Sequence, residues 1–153
     1  MSLTLVRARA RLLPLLCVLL ALAVSAQQES PAETRYVADI ELETSAEFLA
    51  LLNRARQLLV EGVAAQEGDA KVTFVLHGPV ITDLLRQNYT QNREIVDLAA
   101  SLTALQVIDI KACQTWMGAN GVNQEDLQPF VDTVSFAPGE VRRLTVEKSY
   151  LDF

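Results

Sequence analysis

The chain has 153 residues, half of them hydrophobic, and carries a net charge of −6 at pH 7. An acidic protein repels the phosphate backbone, so nucleic acid is a poor candidate partner. One histidine and two cysteines are too few for a zinc or iron site, which needs three or four nitrogen or sulfur ligands. The sequence also lacks a nucleophile elbow and a phosphate-binding glycine loop, so we expect no metal and no cofactor.

The amino-terminal segment has the pattern of a secretory signal peptide. Three arginines precede an apolar run over residues 12–24, and small residues stand before Gln27. The run is shorter than the roughly 20 apolar residues that span a bilayer. We therefore predict a signal peptide over residues 1–26, with an uncleaved membrane anchor as the alternative. Cleavage would remove three arginines and no acid, which gives a net charge of −9, and would leave the protein periplasmic or secreted, without membrane attachment.

The folded part is predicted to follow a short tether. Residues 27–33 are polar and lack periodicity, which is typical of a flexible segment. We assign residues 34–153 to one α/β domain, a length that fits a single core. Apolar residues at every second position from Tyr36 to Leu42 predict a half-buried strand at its start.

The clearest predicted helix follows this strand. Thr44 and Glu47 have the spacing of a capping box, in which each side chain accepts a hydrogen bond from a free amide at the helix start. An apolar stripe at helical spacing follows, and Gly62 marks the predicted end.

Two strands are predicted in the middle of the chain. Residues 72–76 are apolar almost throughout and are predicted to be a strand buried on both faces, as in a parallel sheet, and residues 107–112 are predicted to be the third strand. Between them, Pro79 predicts the start of a short helix that continues to about Gln87. An apolar face predicts a further helix over residues 91–106.

The last third of the chain continues the alternation of strands and helices. A helical turn is predicted over residues 114–119, a turn at Asn120-Gly121, a helical hook over residues 124–127 and a strand over residues 131–136. Pro138 opens a last helix, in which three apolar residues are predicted to face inward: Val141, Leu144 and Leu151. This alternation favours a parallel sheet covered by helices on both faces.

Cys113 is the one cysteine that would remain after cleavage, and it directly follows the third predicted strand. No internal disulfide is then possible, so an exported cysteine is either a reactive thiol, an intermolecular bridge or a buried, inert side chain. If a helical turn follows Cys113, free amides and the helix dipole favour the thiolate.

Candidate pocket residues cluster around the same edge. His77 ends a buried strand at the carboxyl edge of the sheet, where open α/β sheets bind ligands, although a histidine that only hydrogen-bonds a loop is the more common case. We expect His77, Gly78, Thr115 and Asn120 to shape a pocket beside Cys113. By contrast, three carboxylates on predicted amphipathic helices are expected to be solvated: Asp83, Glu94 and Asp97.

The sequence resembles the DsrE/DsrF-like (DsrEFH-like) sulfur-relay family. The likeness is carried by the block VTFVLHGPV from Val72, by the segment LTALQVIDIKAC that ends at Cys113, and by the Gly-Val pair at 121–122. The helix from Ser45 and the segment from Pro138 also fit, so the resemblance covers most of residues 34–153.

This resemblance implies both a fold and an activity. The implied fold is a three-layer α/β/α domain with a mostly parallel sheet of about five strands. The implied activity is that of a sulfur transferase, with Cys113 accepting sulfane sulfur as a persulfide from a donor and passing it to a small sulfur-carrier protein. The resemblance also implies that the chain assembles as a homo-oligomer.

Two other functions remain open from the residues alone. The same carboxyl-edge pocket could serve a non-catalytic module that binds a small ligand or a protein. Alternatively, the chain could be a redox-responsive subunit that dimerises through Cys113. Function resides in the site rather than in the fold, so the fold alone does not choose among them.

Overall fold

A computed structural model describes residues 34–61 and 70–153 of the chain. The signal peptide predicted over residues 1–26 and the tether predicted over residues 27–33 lie outside the described residues. Within the described ranges, no helix has the length and apolar character needed to cross a membrane.

The centre of the domain is a sheet of five parallel strands in the order β4-β3-β2-β1-β5. The five strands are β1 Tyr36–Ile40, β2 Val72–Leu76, β3 Ile108–Cys113, β4 Val131–Val134 and β5 Leu151–Asp152. Because all strands run the same way, their carboxyl ends meet at one edge of the sheet, where open α/β sheets bind ligands.

Four α-helices connect these strands, together with shorter helical turns. The helices are α1 Ser45–Val60, α2 Arg93–Ala104, α3 Gln114–Ala119 and α4 Ala137–Arg142. Three 3-10 turns span Pro79–Leu84, Arg86–Asn88 and Gln124–Asp126, and a π-helical turn over Arg143–Glu147 continues α4.

The connections divide the helices between two layers. Successive strands from β1 to β4 lie side by side, so their right-handed crossovers place α1 and α2 on one face. The chain then returns across the sheet from β4 to β5, and this return places α4 and the π-helical turn on the other face. The larger core lies under α1 and α2 and includes Phe48 and Phe74, while the smaller core lies under α4 and includes Val75 and Leu144. The fold is therefore a three-layer α/β/α domain.

The start of α1 confirms the predicted capping box. The Thr44 hydroxyl accepts a hydrogen bond from the Glu47 backbone N–H at 3.3 Å, and the Glu47 carboxylate accepts one from the Thr44 N–H at 3.1 Å. The prediction of a β2 buried on both faces is also confirmed, since all five of its residues are buried.

Three local predictions differ from the structure. The helix predicted from Pro79 is instead a pair of 3-10 turns broken at the extended residue Leu85. Leu151 was predicted to face inward from the last helix, and this is wrong. Ser149 adopts a left-handed conformation (φ 57°) that ends the helical segment, and Leu151 then pairs with Tyr36 in the edge strand β5, where it is 53% exposed.

The third difference concerns Asp83, which was predicted to be solvated. Its side chain is buried between the starts of α1 and α2, where Oδ1 accepts hydrogen bonds from Ser45 Oγ at 2.9 Å and Asn92 Nδ2 at 3.1 Å. The amphipathic pattern did not reveal this position because residues 79–84 form a 3-10 turn rather than the predicted α-helix.

Candidate functional site

Cys113 occupies the predicted position at the carboxyl edge of the sheet. It is the last residue of β3 and the residue that immediately precedes α3. Side chains alternate along a strand, so Ala112 enters the larger core and Cys113 points to the opposite face. There the sulfur packs beneath α4, and the side chain is only 3% exposed.

The Cys113 sulfur has one backbone partner. The N–H of Ala137, the first residue of α4, donates a hydrogen bond to Sγ at 3.4 Å. The thiol thus partly occupies the place of a helix cap, since the first amides of a helix lack partners within it.

His77 lies next to Cys113 on the same face of the sheet. Leu76 of β2 pairs with Ala112 of β3, so His77 and Cys113 are the next residues along two neighbouring strands. The His77 N–H extends the ladder to β1 by donating to the Ile40 carbonyl at 2.9 Å. Sheet alternation therefore puts His77 and Cys113 on the face covered by α4, although among the described residues no hydrogen bond joins their side chains.

Asp39 of β1 is the partner of the His77 side chain, and the sequence alone did not reveal this contact. His77 Nε2 lies 2.6 Å from Asp39 Oδ1. An ionised carboxylate can only accept, so Nε2 carries the proton and Nδ1 of a neutral ring is the acceptor. In the sequence Asp39 is one polar residue of an alternating strand, and the contact joins residues 38 positions apart, so no motif could indicate it.

The other predicted pocket residues are dispersed. Gly78 follows His77, and an added Cβ there would meet backbone atoms of Glu41 and Leu42 at ordinary contact distances of 3.5 Å. Thr115 Oγ1 donates to the Ser135 carbonyl at 2.8 Å, which ties α3 to the segment after β4. Asn120 follows the last residue of α3 and donates from Nδ2 to the Trp116 carbonyl at 2.8 Å.

A cavity of about 510 Å³ lies at the same edge but beside α3 rather than beneath α4. It lies between the 3-10 turns that follow β2 and the end of α3, and Asn88, Trp116, Asn120 and Asp126 are among its lining residues. Of the predicted site residues, only Asn120 lines it. Cys113, His77, Gly78 and Thr115 do not, so the single shared pocket of the prediction resolves into two separate places.

A charge cluster lies behind Cys113 on the same face. Lys111 Nζ lies 3.1 Å from Glu140 Oε1 and 3.6 Å from Asp109 Oδ2, and Arg143 Nη2 lies 2.7 Å from Glu140 Oε1. The Arg143 hydrogen bonds, followed by the contact with Lys111, lower the pKa of Glu140 to about 2, although burial opposes the shift. Lys111 is thus engaged with carboxylates and anchors α4 over β3.

Within residues 34–61 and 70–153, no group of three or more His, Cys, Asp and Glu side chains is placed to hold a metal ion. The side chains described at the carboxyl edge supply a thiol, an imidazole and a carboxylate.

The fold defines a class, the three-layer α/β/α proteins with a parallel sheet. A solved member similar to this chain is a protein of unknown function, MTH1491, from Methanobacterium thermoautotrophicum. The two share 22% sequence identity with a TM-score of 0.61, and the match covers 78% of this chain and 97% of that one. At this identity the likeness concerns the fold alone. No protein-family model matches the chain, and no curated protein matches it either.

Proposed function

We propose that the protein is an exported sulfur carrier of the DsrE/DsrF type, which holds sulfane sulfur as a persulfide on Cys113. The observation that carries this proposal is the hydrogen bond from the Ala137 N–H to Cys113 Sγ at the carboxyl edge. A donor N–H stabilises a sulfur that becomes anionic, and the thiolate is the form that reacts with sulfane sulfur.

The proposed loading step uses a donor such as thiosulfate. The Cys113 thiolate attacks the outer sulfur, a new S–S bond forms, and the S–S bond of thiosulfate breaks as sulfite leaves with its electron pair. The product is a cysteine persulfide. His77, whose ring is oriented by Asp39 at 2.6 Å, lies at the end of the neighbouring strand and takes the thiol proton before attack, directly or through one water molecule. Transfer to a small carrier protein follows the same exchange in the opposite direction.

The burial of Cys113 decides against one of the alternatives. A disulfide between two copies of the chain requires both sulfur atoms to reach the surface, since their Cβ atoms must come within about 4.5 Å. Cys113 is 3% exposed beneath α4, so a lasting disulfide would hold α4 displaced, whereas loading and transfer need α4 to lift only for the duration of each exchange. We therefore do not favour a subunit that dimerises through this cysteine.

Intact-mass measurement tests the proposal. The full chain should be prepared in a Cys17→Ser background, which leaves Cys113 as the one thiol, and incubated with thiosulfate or polysulfide. We expect a gain of one sulfur atom that dithiothreitol reverses and that is absent from Cys113→Ser. The proposal fails if the native protein gains no sulfur while the urea-unfolded protein does.

Rates of loading test the role of the Asp39–His77 pair. We expect His77→Asn and Asp39→Asn to slow sulfur uptake by about tenfold or more, within the range of general-base effects. Asp132→Asn is the matched control, because Asp132 is an exposed carboxylate on β4. Equal rates of sulfur uptake in Asp39→Asn, Asp132→Asn and the parent chain would show that the Asp39–His77 pair takes no part in loading.

A further inference from the structure

The cavity beside α3 has no part in the proposed sulfur chemistry. Its volume of about 510 Å³ is within the range of sites that hold small organic molecules. Cys113 points to the opposite face of the sheet and does not line it. Any ligand of this cavity is therefore recognised by a different set of side chains.

Two asparagines of the lining present their side-chain oxygens as acceptors, beside the polar side chains of Thr82 and Gln87. The amide nitrogen of Asn88 donates to the Thr82 carbonyl at 2.9 Å, and that of Asn120 donates to the Trp116 carbonyl at 2.8 Å. Each amide is thus held to the protein through its nitrogen. Neither Oδ1 accepts a hydrogen bond from the described residues, so each is available to a ligand that donates.

Asp126 adds a negative charge to this lining. Its Oδ2 accepts hydrogen bonds from the Asn123 N–H at 2.8 Å and from Asn123 Nδ2 at 3.2 Å. Within the described part of the chain, Oδ1 of Asp126 has no such partner. Arg86 stands between two lining residues in sequence, but it does not line the cavity and donates from Nε to the Leu127 carbonyl at 2.7 Å.

Trp116 supplies the aromatic part of the wall. Indole is the side chain whose ring face attracts cations most strongly. Backbone-held acceptors, a carboxylate and an indole together select for positive charge and N–H donors, and they disfavour anions.

We infer that this cavity binds a small organic cation bearing N–H donors, of the alkylguanidinium or alkylammonium class. The cation lies against Trp116, and its N–H groups donate to Asp126 Oδ1 and to the side-chain oxygens of Asn88 and Asn120. Binding is independent of Cys113, so this inference and the sulfur-carrier proposal can fail separately.

Fluorescence titration of the full chain tests the inference, because Trp116 is the single tryptophan of the sequence. The probes are butylguanidinium, butylammonium, 1-butanol and butyrate, which share an alkyl chain and differ in charge and donors. We expect a saturable change in Trp116 emission with the two cations, weaker binding of butanol and no binding of butyrate. Equal affinity for butanol and the cations, or no saturation with any cation, overturns the inference.

Two variants distinguish a specific contact with Asp126 from a general effect of negative charge on cation binding. Asp126→Asn keeps an oxygen that can accept from Asn123 and removes the charge, so we expect butylguanidinium affinity to fall at least about tenfold, as for the loss of a charged hydrogen bond. Glu125→Gln removes the same charge from an exposed neighbour outside the lining and should bind as the parent does. Equal losses in the two variants would contradict a specific contact, and Cys113→Ser should leave binding unchanged.

Discussion

Asp83 is the residue at which burial and ionisation conflict most directly. Its side chain is 5% exposed, and Oδ2 has no hydrogen-bond partner within the described residues. Burial raises the pKa of Asp83 above its usual value of 3.8, while the Ser45 hydroxyl opposes the shift. A buried oxygen without a partner favours the protonated form, because no hydrogen-bond donor compensates a negative charge there.

This pKa direction gives a testable dependence of stability on pH. A group whose folded-state pKa is raised contributes stability that is complete below the unfolded pKa of 3.8 and is lost as pH rises through the folded pKa. Relative to Asp83→Asn, the parent chain should therefore gain stability as pH is lowered from about 8 to about 4. Urea unfolding at several pH values measures the difference, and parallel profiles for the two proteins would contradict the prediction.

The position of Cys113 could be predicted from the sequence, but the residues that surround it could not. A cysteine directly after a buried apolar run must lie at the end of a strand, so its place at the carboxyl edge followed from the pattern. The direction of its sulfur followed only from the register, because a shift of one residue along β3 would have turned it to the other face. Asp39 and Ala137 come from β1 and α4, and neither long-range contact leaves a mark in the local sequence.

At the level of elements, α4 is held to the sheet by a charge cluster as well as by the smaller apolar core. Glu140 is the shared partner of Lys111 on β3 and of Arg143 in the π-helical turn, and its side chain is 12% exposed. Removing one member of such a cluster leaves the others with fewer partners in a partly dry environment, which costs more than the loss of a surface ion pair.

We expect Glu140→Gln to lower the free energy of unfolding at neutral pH by about 1 to 2 kcal/mol. Because the pKa of Glu140 is lowered from 4.5 to about 2, its contribution is present above pH 4.5 and is lost as pH falls from about 4.5 toward about 2. Urea unfolding should show the variant and the parent converging over that interval. Glu147→Gln changes an exposed acid of the same segment and serves as the control, and a loss of equal size there would count against the cluster.

The elements that were mispredicted share a physical cause. The pair of 3-10 turns and β5 are both short, with three to six and two residues, and short segments hold too few residues for a hydrophobic period to emerge. Long elements such as α1 carry their own signals, in this case a capping box and an apolar stripe. Their type was therefore predicted from residues that lie within them.

At the scale of the whole domain, the alternation of strands and helices was enough to predict the class of fold. The alternation did not reveal the edge strand β5, which is two residues long and is followed by Phe153, whose contacts are with residues far away in the chain. Phe153 packs its ring against Tyr36 at 6.2 Å and Phe74 at 6.0 Å between centroids, and Arg54 lies 4.9 Å over the ring. This cluster fastens the last strand to β1, β2 and α1.

We expect Phe153→Ala to lower the free energy of unfolding by about 1 to 3 kcal/mol, less than for a fully buried phenylalanine because Phe153 is only half-buried. Leu151→Ala, at a position 53% exposed in the same strand, should cost less than about 1 kcal/mol. Urea unfolding of both variants of the full chain checks that Phe153→Ala loses more stability than Leu151→Ala. A larger loss at Leu151 than at Phe153 would contradict the role of the aromatic cluster.

The return of the chain from β4 to β5 lays a six-residue helix over the cysteine sulfur. Short helices at the margin of a core open locally far more often than central strands do. A reagent that reaches Cys113 must wait for such an opening, so the observed rate is the intrinsic rate multiplied by the fraction of time that α4 is lifted. Reactivity at this site is then set by the local stability of one helix, and substitutions in α4 far from the sulfur would tune it without any change in the thiol itself.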